Sequence, residues 1–309
     1  MKKNDYICAV KANVNKKERQ TLLRVKAPME LMAFLGIHFE GKSRTALKAM
    51  LAKKQVCVNG KPTSQFNYAL QPNDSVTVNT TGKGQYELSH PKVSVVYEDD
   101  FVIVVAKAEG LLAVATDDGK ENATAFAVVS DYLKKKDPRN RLFVVHRIDR
   151  ETSGLMLFAK NRDVQMEMQE RWHEIVTERV YVAVVEGVPA KEEDTITSFL
   201  RESKAFKVHA AYQGGAGKQA VTHYRLMRKN AEYAMLKVEL ETGRKNQIRV
   251  HMQEIGHPII GDKKYGGARS PIGRMGLHAR VLAFIHPVTH EILRFETPVP
   301  RKFSALFVI

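Results

Sequence analysis

Apolar positions recur along the chain with two different periods, and the switch between them predicts the elements. After a basic, polar opening, Leu31, Met32, Phe34 and Leu35 form an apolar helix face, with Pro28 placed to be the first helical residue. A break at Gly36–Gly41 follows. Ser43 is the expected N-cap of a second helix, Arg44–Lys53, in which Ala46, Leu47, Met50 and Leu51 share one side. Val56-Cys57-Val58-Asn59-Gly60-Lys61 then alternates and ends in Asn-Gly, the strongest short hairpin signal. Pro72-Asn73-Asp74 predicts a turn before a strand at Val76–Val78.

Further on, Val93–Tyr97 and Phe101–Lys107 are strand-like runs flanking the acidic turn Glu98-Asp99-Asp100. Ala123–Lys136 has helical composition. Leu142–Val145 and Leu155–Ala159 predict short strands around a charged loop, and Gln165–Glu174 predicts a helix. Val180–Glu186, Ala220–Met227 and Ala234–Leu240 predict strands, and Gln247–Gln253 a helix after a glycine turn. The organisation this implies is an extension over 1–24, a small α+β domain over 25–79, a polar glycine-bearing linker over 80–92, and a larger α+β domain over 93–309.

Composition narrows the class of partner. The 49 Lys and Arg residues against 34 Asp and Glu leave a net charge of +15, which favours a polyanion, nucleic acid before an anionic membrane surface. With 44% hydrophobic residues, a sizeable core is expected. No run reaches the ~18 apolar residues of a membrane span, and no amphipathic helix carries bulky anchors. The apolar stretch near the N-terminus is too short for a signal peptide. With only two cysteines, Cys8 and Cys57, and no disulfide framework, a cytoplasmic protein is expected.

The chemistry concentrates in His146-Arg147-Ile148-Asp149-Arg150-Glu151-Thr152-Ser153-Gly154. An aspartate between two arginines, in a polar loop between apolar strands, would be held ionised by those cations. Such a carboxylate can serve as nucleophile or base, or it can belong to a structural ion-pair cluster; spacing alone allows both. The late histidines His251, His257, His278, His286 and His290 fit no metal-ligand spacing. Gly214–Lys218 fails as a phosphate loop because Gln219 stands where Ser or Thr is needed.

The stretch "HRIDRETSGLMLFAK", His146–Lys160, closely resembles the signature of the RluA family of RNA pseudouridine synthases. The likeness extends in the family's order through "VVYEDDFVIVVAKAEG" (Val95–Gly110), "ERVYVAVVEG" (Glu178–Gly187), "GKQAVTHYRLM" (Gly217–Met227), "TGRKNQIRVHMQEIGHPIIGDKKYGG" (Thr242–Gly267) and "LHARVLAFIHPVTHEILRFETPVP" (Leu277–Pro300). The earlier segment is similar to S4-type RNA-binding domains through Ser43-Arg44, Val56, Val58-Asn59-Gly60-Lys61 and Asp74.

The resemblance implies a pseudouridine synthase fold, a mixed and mainly antiparallel sheet with flanking helices and loops, preceded by a small S4-like domain. It implies an isomerase that needs no cofactor and no metal. Asp149 would be the nucleophile, with Arg249 its basic partner. Tyr181 would pack on the base and serve in proton transfer, Arg147 would fill the space left by a flipped uridine, and Ile248 would pack on that base. Lys42, Arg44, Lys48 and Lys53 would meet RNA phosphates. Ribosomal RNA of the large subunit is the expected substrate, with transfer RNA second. A monomer is favoured, with no membrane partner. The competing reading is a non-catalytic RNA-binding or ribosome-assembly protein that keeps the fold. Three departures stand out: Ala108 replaces a usual proline, Arg179 a usual lysine, and Asn246 a usual histidine.

Overall fold

A computed structural model describes residues 20–79, 88–115, 123–203, 207–211, 217–267 and 270–307. The expected extension through residue 19, most of the expected linker, and Gly214–Ala216 lie outside these residues. The chain divides into two compact units, the smaller taking in Ser130–Arg141 besides the segment up to Leu88.

In the smaller unit the order is β1 (Gln20–Arg24), β2 (Met29–Glu30), α1 (Leu31–His38), α2 (Arg44–Ala52), β3 (Val56–Val58), β4 (Lys61–Pro62), β5 (Ala69–Leu70) and β6 (Ser75–Asn79). Strand β1 falls in the segment read as an extension, yet it pairs antiparallel with β6 along its full length. Pro28 does not start α1. Residues 29–30 instead pair with β5, and the helix begins at Leu31. Ser43 caps α2 as expected, its Oγ accepting from Ala46 N at 3.2 Å, a bond worth about 1 kcal/mol. The β3–β4 turn has Asn59 at φ 49° and Gly60 at φ 76°, the left-handed pair that a type I′ hairpin requires. Asp74 fastens the base of this unit, accepting from Asn59 Nδ2 and Gln71 N at 2.8 Å each. The core is Leu31, Phe34, Leu35, Leu47, Leu51, Val56, Leu70, Val76 and Val78, all fully buried or nearly so.

The larger unit carries β7 (Val93–Glu98), β8 (Val102–Lys107), α3 (Ala125–Lys136), whose second half is grouped with the smaller unit, β9 (Phe143–Val144), β10 (Ser153–Ala159), α4 (Arg162–Glu170), α5 (Trp172–Ile175) and β11 (Val176–Glu186). It continues with β12 (Glu193–Glu202), β13 (Val208–Ala211), β14 (Lys218–Lys229), β15 (Tyr233–Leu240), α6 (Gln247–Glu254), β16 (Leu277–Ile285), β17 (Ile292–Glu296) and α7 (Arg301–Ser304). The helix expected at Gln165–Glu174 starts three residues earlier and breaks at Arg171, whose φ of −104° ends α4 before the single turn of α5. Strands β12 and β13 have no counterpart among the elements read from periodicity.

One sheet runs β13-β12-β14-β15-β11-β16-β10-β8-β7, with β17 on β16 and β9 on β10. Its described pairings are antiparallel except β10 with β16, which match Ser153 to His278 and Gly154 to Ala279. The contact is close: at Gly154, φ 118°, a Cβ would lie 2.1 Å from the Ala279 carbonyl oxygen. Only glycine fits there. Helix α6 packs on the sheet through Ile248 and Met252, against Ala183, Val185, Leu236 and Leu277. Among the described residues no helix is long and apolar enough to cross a membrane.

Three histidines, His251 and His278 buried and His146 half-buried, tie this sheet together as neutral rings. His146 Nε2 accepts from Leu157 N at 3.0 Å. His251 lies between Ser198 and Thr222, and His278 between Ser153 and Thr297. Burial lowers their pKa values to about 4, about 4 and about 3. A depressed histidine gives stability that is complete above its unfolded value of ~6.5 and is lost as pH falls toward the folded value. Denaturant titrations between pH 6.5 and 4 should therefore show stability falling by up to ~4 kcal/mol per pH unit, the slope for three protons taken up on unfolding. His278→Gln should flatten that slope by about a third. A curve flat over this window would contradict the neutral assignment.

Candidate active site

Residues 147–152 form the loop that leads into β10 at its parallel junction with β16. The loop is pinned from below. Lys107, at the end of β8, is 2% exposed, and its Nζ donates to the carbonyls of Ala108, Leu111 and Arg150 at 2.9, 2.8 and 3.0 Å. Gly110 N adds a second donor to the Arg150 carbonyl at 2.9 Å. Burial lowers the Lys107 pKa to about 8, with the carboxylates of Glu151, Asp149 and Glu109 opposing the shift. Where the family usually has proline, Ala108 donates its N–H to the Lys92 carbonyl at 2.8 Å, a bond proline could not make. A hydrogen bond thus restrains the turn in place of a ring.

Asp149 projects from this loop, 29% exposed, and accepts from Arg249 Nη1 at 2.9 Å. Arg249 is itself clamped. Its Nε and Nη2 form a two-bond fork to Asp262 at 2.7 and 2.8 Å, and its Nη1 also donates to Asn246 Oδ1 at 3.0 Å. Its guanidinium sits 5.0 Å from the Tyr265 ring centre. Burial disfavours the guanidinium charge, but the bonds to Asp262 and the two carboxylate charges outweigh it, so its pKa lies above the ordinary value. Asn246 stands at φ 55°, in the left-handed region that asparagine tolerates, and donates its Nδ2 to Tyr265 Oη at 3.0 Å. The amide thus occupies the position usual for histidine as a bridge between Arg249 and Tyr265.

Tyr181 enters from β11. Between Val180↔Val281 and Tyr181↔Ala279 the register slips by one residue, a bulge of the kind that re-aims a side chain beside a site. The slip sets Tyr181 in a row with Ala279 and Gly154. Burial raises the phenol's pKa, with Arg179 opposing and Asp149 reinforcing the shift, so the hydroxyl keeps its proton at neutral pH. Arg179 holds the turn that follows β15, its Nη2 donating to the Leu240 and Glu241 carbonyls at 3.1 Å each.

Asp149, Arg249, Tyr181, Arg147 and Ile248 all line one cleft of about 70 Å³, together with Asn246, Arg244 and Leu277. Arg147 is exposed, and among the described residues no side chain or carbonyl holds it. Ile248 is buried and belongs to the core under α6. Lys42, Arg44, Lys48 and Lys53 are exposed around α2 in the smaller unit, with Lys48 Nζ 5.5 Å from the Phe66 ring centre. Among the described residues, no three His, Cys, Asp or Glu side chains converge as a metal site would require. Sequence reasoning assigned no role to Asp262, Tyr265 or Lys107, though all lie in the quoted motifs. The usable signal was Gly261-Asp262 in a glycine-flanked turn, with Gly261 at φ 71° and Gly266 at φ 95°.

Comparison with known proteins bears on what this cleft does. Residues 101–254 match the family described as RNA pseudouridylate synthase. An uncharacterized RNA pseudouridine synthase of Chlorobaculum parvum is 32% identical over 91% of this chain and 94% of its own length. The chain belongs to the RNA pseudouridine synthase family. It is of the RluA type, an isomerase acting on uridines of RNA, and the reading as a non-catalytic binder gives way to an enzyme. The ribosomal large subunit pseudouridine synthase D of Neisseria meningitidis serogroup B is 32% identical over 94% of this chain and 83% of its own. Among solved structures, human RNA pseudouridylate synthase domain containing 4 superposes with a TM-score of 0.57 at 23% identity, covering 68% of this chain and 90% of that one, which shows the fold.

Proposed function

We propose that this chain isomerises uridine to pseudouridine in large-subunit ribosomal RNA, in the cytoplasm, with Asp149 as nucleophile. The observation that carries the reading is the Asp149–Arg249–Asp262 chain of bonds. It positions one carboxylate in a cleft through a charge-assisted bond from a guanidinium that is itself forked to a buried aspartate. Two relatives named ribosomal large subunit pseudouridine synthase D, from Neisseria meningitidis serogroup B and Haemophilus influenzae, support the choice of RNA.

In the proposed reaction the target nucleotide leaves its stack and enters the cleft, and Arg147 fills the space it vacates. Asp149 attacks the nucleoside at the sugar or at the base. The N1–C1′ bond breaks, the uracil turns against Ile248 and Tyr181, and the C5–C1′ bond forms as the carboxylate is released. C5 loses its proton and N1 gains one, so no atom is lost overall and no redox partner enters. Tyr181, whose hydroxyl keeps its proton at neutral pH, is placed to relay protons, taking the C5 proton as it passes its own on to N1 or solvent. The smaller unit, read as S4-like, grips phosphates through Lys42, Arg44, Lys48 and Lys53. Replacing all four by alanine should make the dependence of RNA affinity on salt shallower by about 3 in log–log slope, as expected for four lost single-strand contacts. An unchanged slope would remove this unit from the binding surface.

The target is tested by mapping pseudouridines in RNA from cells that lack the gene. Loss of one or more large-subunit positions is expected. An intact ribosomal map with a missing transfer RNA position would move the target to transfer RNA.

A further inference from the structure

A second cleft, of about 500 Å³, opens beside the catalytic one, and the two share Arg244. Its floor is apolar, from Leu200 of β12 and Val208 of β13, 5% and 3% exposed. Its rim is cationic: Arg201, Lys218, Arg244 and Lys245 surround it, with Glu202 the one carboxylate among the described lining residues, and that is ion-paired to Lys245.

The remaining three cations, Arg201, Lys218 and Arg244, meet no carboxylate among the described residues. Several exposed cations of this unit do meet carboxylates, as Arg225 meets Glu193, Arg294 meets Glu178 and Arg171 meets Glu174. Around the cleft, no described residue offers the side chains of Arg201 or Lys218 a hydrogen bond or an ion pair. Arg244 is fixed without being neutralised. Its backbone N–H donates to Gln247 Oε1 at 2.9 Å and its Nε to the Gln219 carbonyl at 3.0 Å, and neither of its Nη groups meets a partner among the described residues. Cations gathered around an apolar floor repel one another, and this arrangement is stabilised when an anion enters.

We propose that this cleft binds the RNA strand next to the flipped uridine, Arg201, Lys218 and Arg244 meeting its phosphates and Leu200 and Val208 lying beneath its sugars. Arg244, reaching both clefts, sets the register between the gripped phosphate and the nucleotide at Asp149. The inference rests on RNA being the substrate and not on which RNA it is. It assigns to this face a single-stranded segment, because the flipped nucleotide and its neighbour must leave the helical stack together to fill adjoining clefts.

The test uses the full chain and a 12-nucleotide single-stranded oligouridylate, with binding followed by fluorescence anisotropy over a range of salt. Arg201→Ala combined with Lys218→Ala should weaken binding about tenfold at low salt and reduce the log–log salt slope by about 1.4, the single-strand value for two contacts. The charge-keeping pair, Arg201→Lys with Lys218→Arg, should restore the wild-type slope. Unchanged affinity and slope in the alanine pair would overturn the proposal. So would weaker binding at an unchanged slope, since that marks lost shape and not lost phosphate contacts. Wild-type protein that binds the oligonucleotide but converts no uridine in ribosomal RNA would count against the proposed target and leave the cleft standing.

Discussion

Asp149→Ala is expected to release no tritium from RNA labelled at C5 of uridine, above the level of a protein-free control, while keeping the fold. Pseudouridine formation replaces the C5–H bond with C5–C1′, so tritium release counts each conversion. Alanine supplies no nucleophile, and water cannot enter the role because the reaction rejoins the same two fragments. Asp149→Asn should fail as completely, since its amide oxygen can still accept from Arg249 but the neutral amide is a poor nucleophile. Both variants should unfold near the wild-type midpoint, because Asp149 lies at the rim of the cleft and Arg249 keeps its fork to Asp262. Residual turnover in a purified Asp149→Ala protein would remove this residue from the chemistry.

The second large effect belongs to a residue that never meets the substrate. Asp262 is 1% exposed and takes two bonds from Arg249, itself 11% exposed. Its carboxylate Oδ1 also accepts from the N–H groups of Lys264 and Tyr265. Asp262→Ala leaves a buried guanidinium with half its partners and should cost about 3–5 kcal/mol of stability. Asp262→Asn keeps the shape but turns a donor toward a donor, and should lower the maximal rate by about 100-fold, or ~2.7 kcal/mol of transition-state stabilisation. Arg249→Lys should fall in the same range, because one ammonium cannot span Asp149 and Asp262 with a rigid fork. The readout is single-turnover rate at saturating RNA, set beside the unfolding midpoint. Asp262→Asn with a wild-type rate would show that Arg249 needs no clamp.

The contrast between Asp149 and Asp262 shows what a sequence makes legible. Asp149 announces itself because its neighbours in the chain, Arg147 and Arg150, are charged and its flanks are apolar. Asp262 sits thirteen residues after Arg249, and no period links them. Their pairing depends on how the turn after α6 folds back, and local pattern carries no information about that. Local signals performed well where local physics decides: the Ser43 cap, the Asn59-Gly60 turn and the start of α6 at Gln247 are set by groups within a few residues. Strand β1 reads as a polar extension because Gln20-Thr21-Leu22-Leu23-Arg24 has no alternation, and only its ladder to β6 makes it a strand. Strand β12 hides for a similar reason: Ile196 and Leu200 face inward, but charges at both ends blur the pattern. The one-residue slip that sets Tyr181 is a property of two strands together and is written in neither.

The decisive measurement is what the purified protein does to unmodified large-subunit ribosomal RNA made in vitro. Incubated with wild-type protein and then mapped at nucleotide resolution, that RNA is expected to carry pseudouridine at one or a few defined uridines, and at none after incubation with Asp149→Ala. An RNA left without pseudouridine by wild-type protein, or modified equally by both proteins, would contradict it.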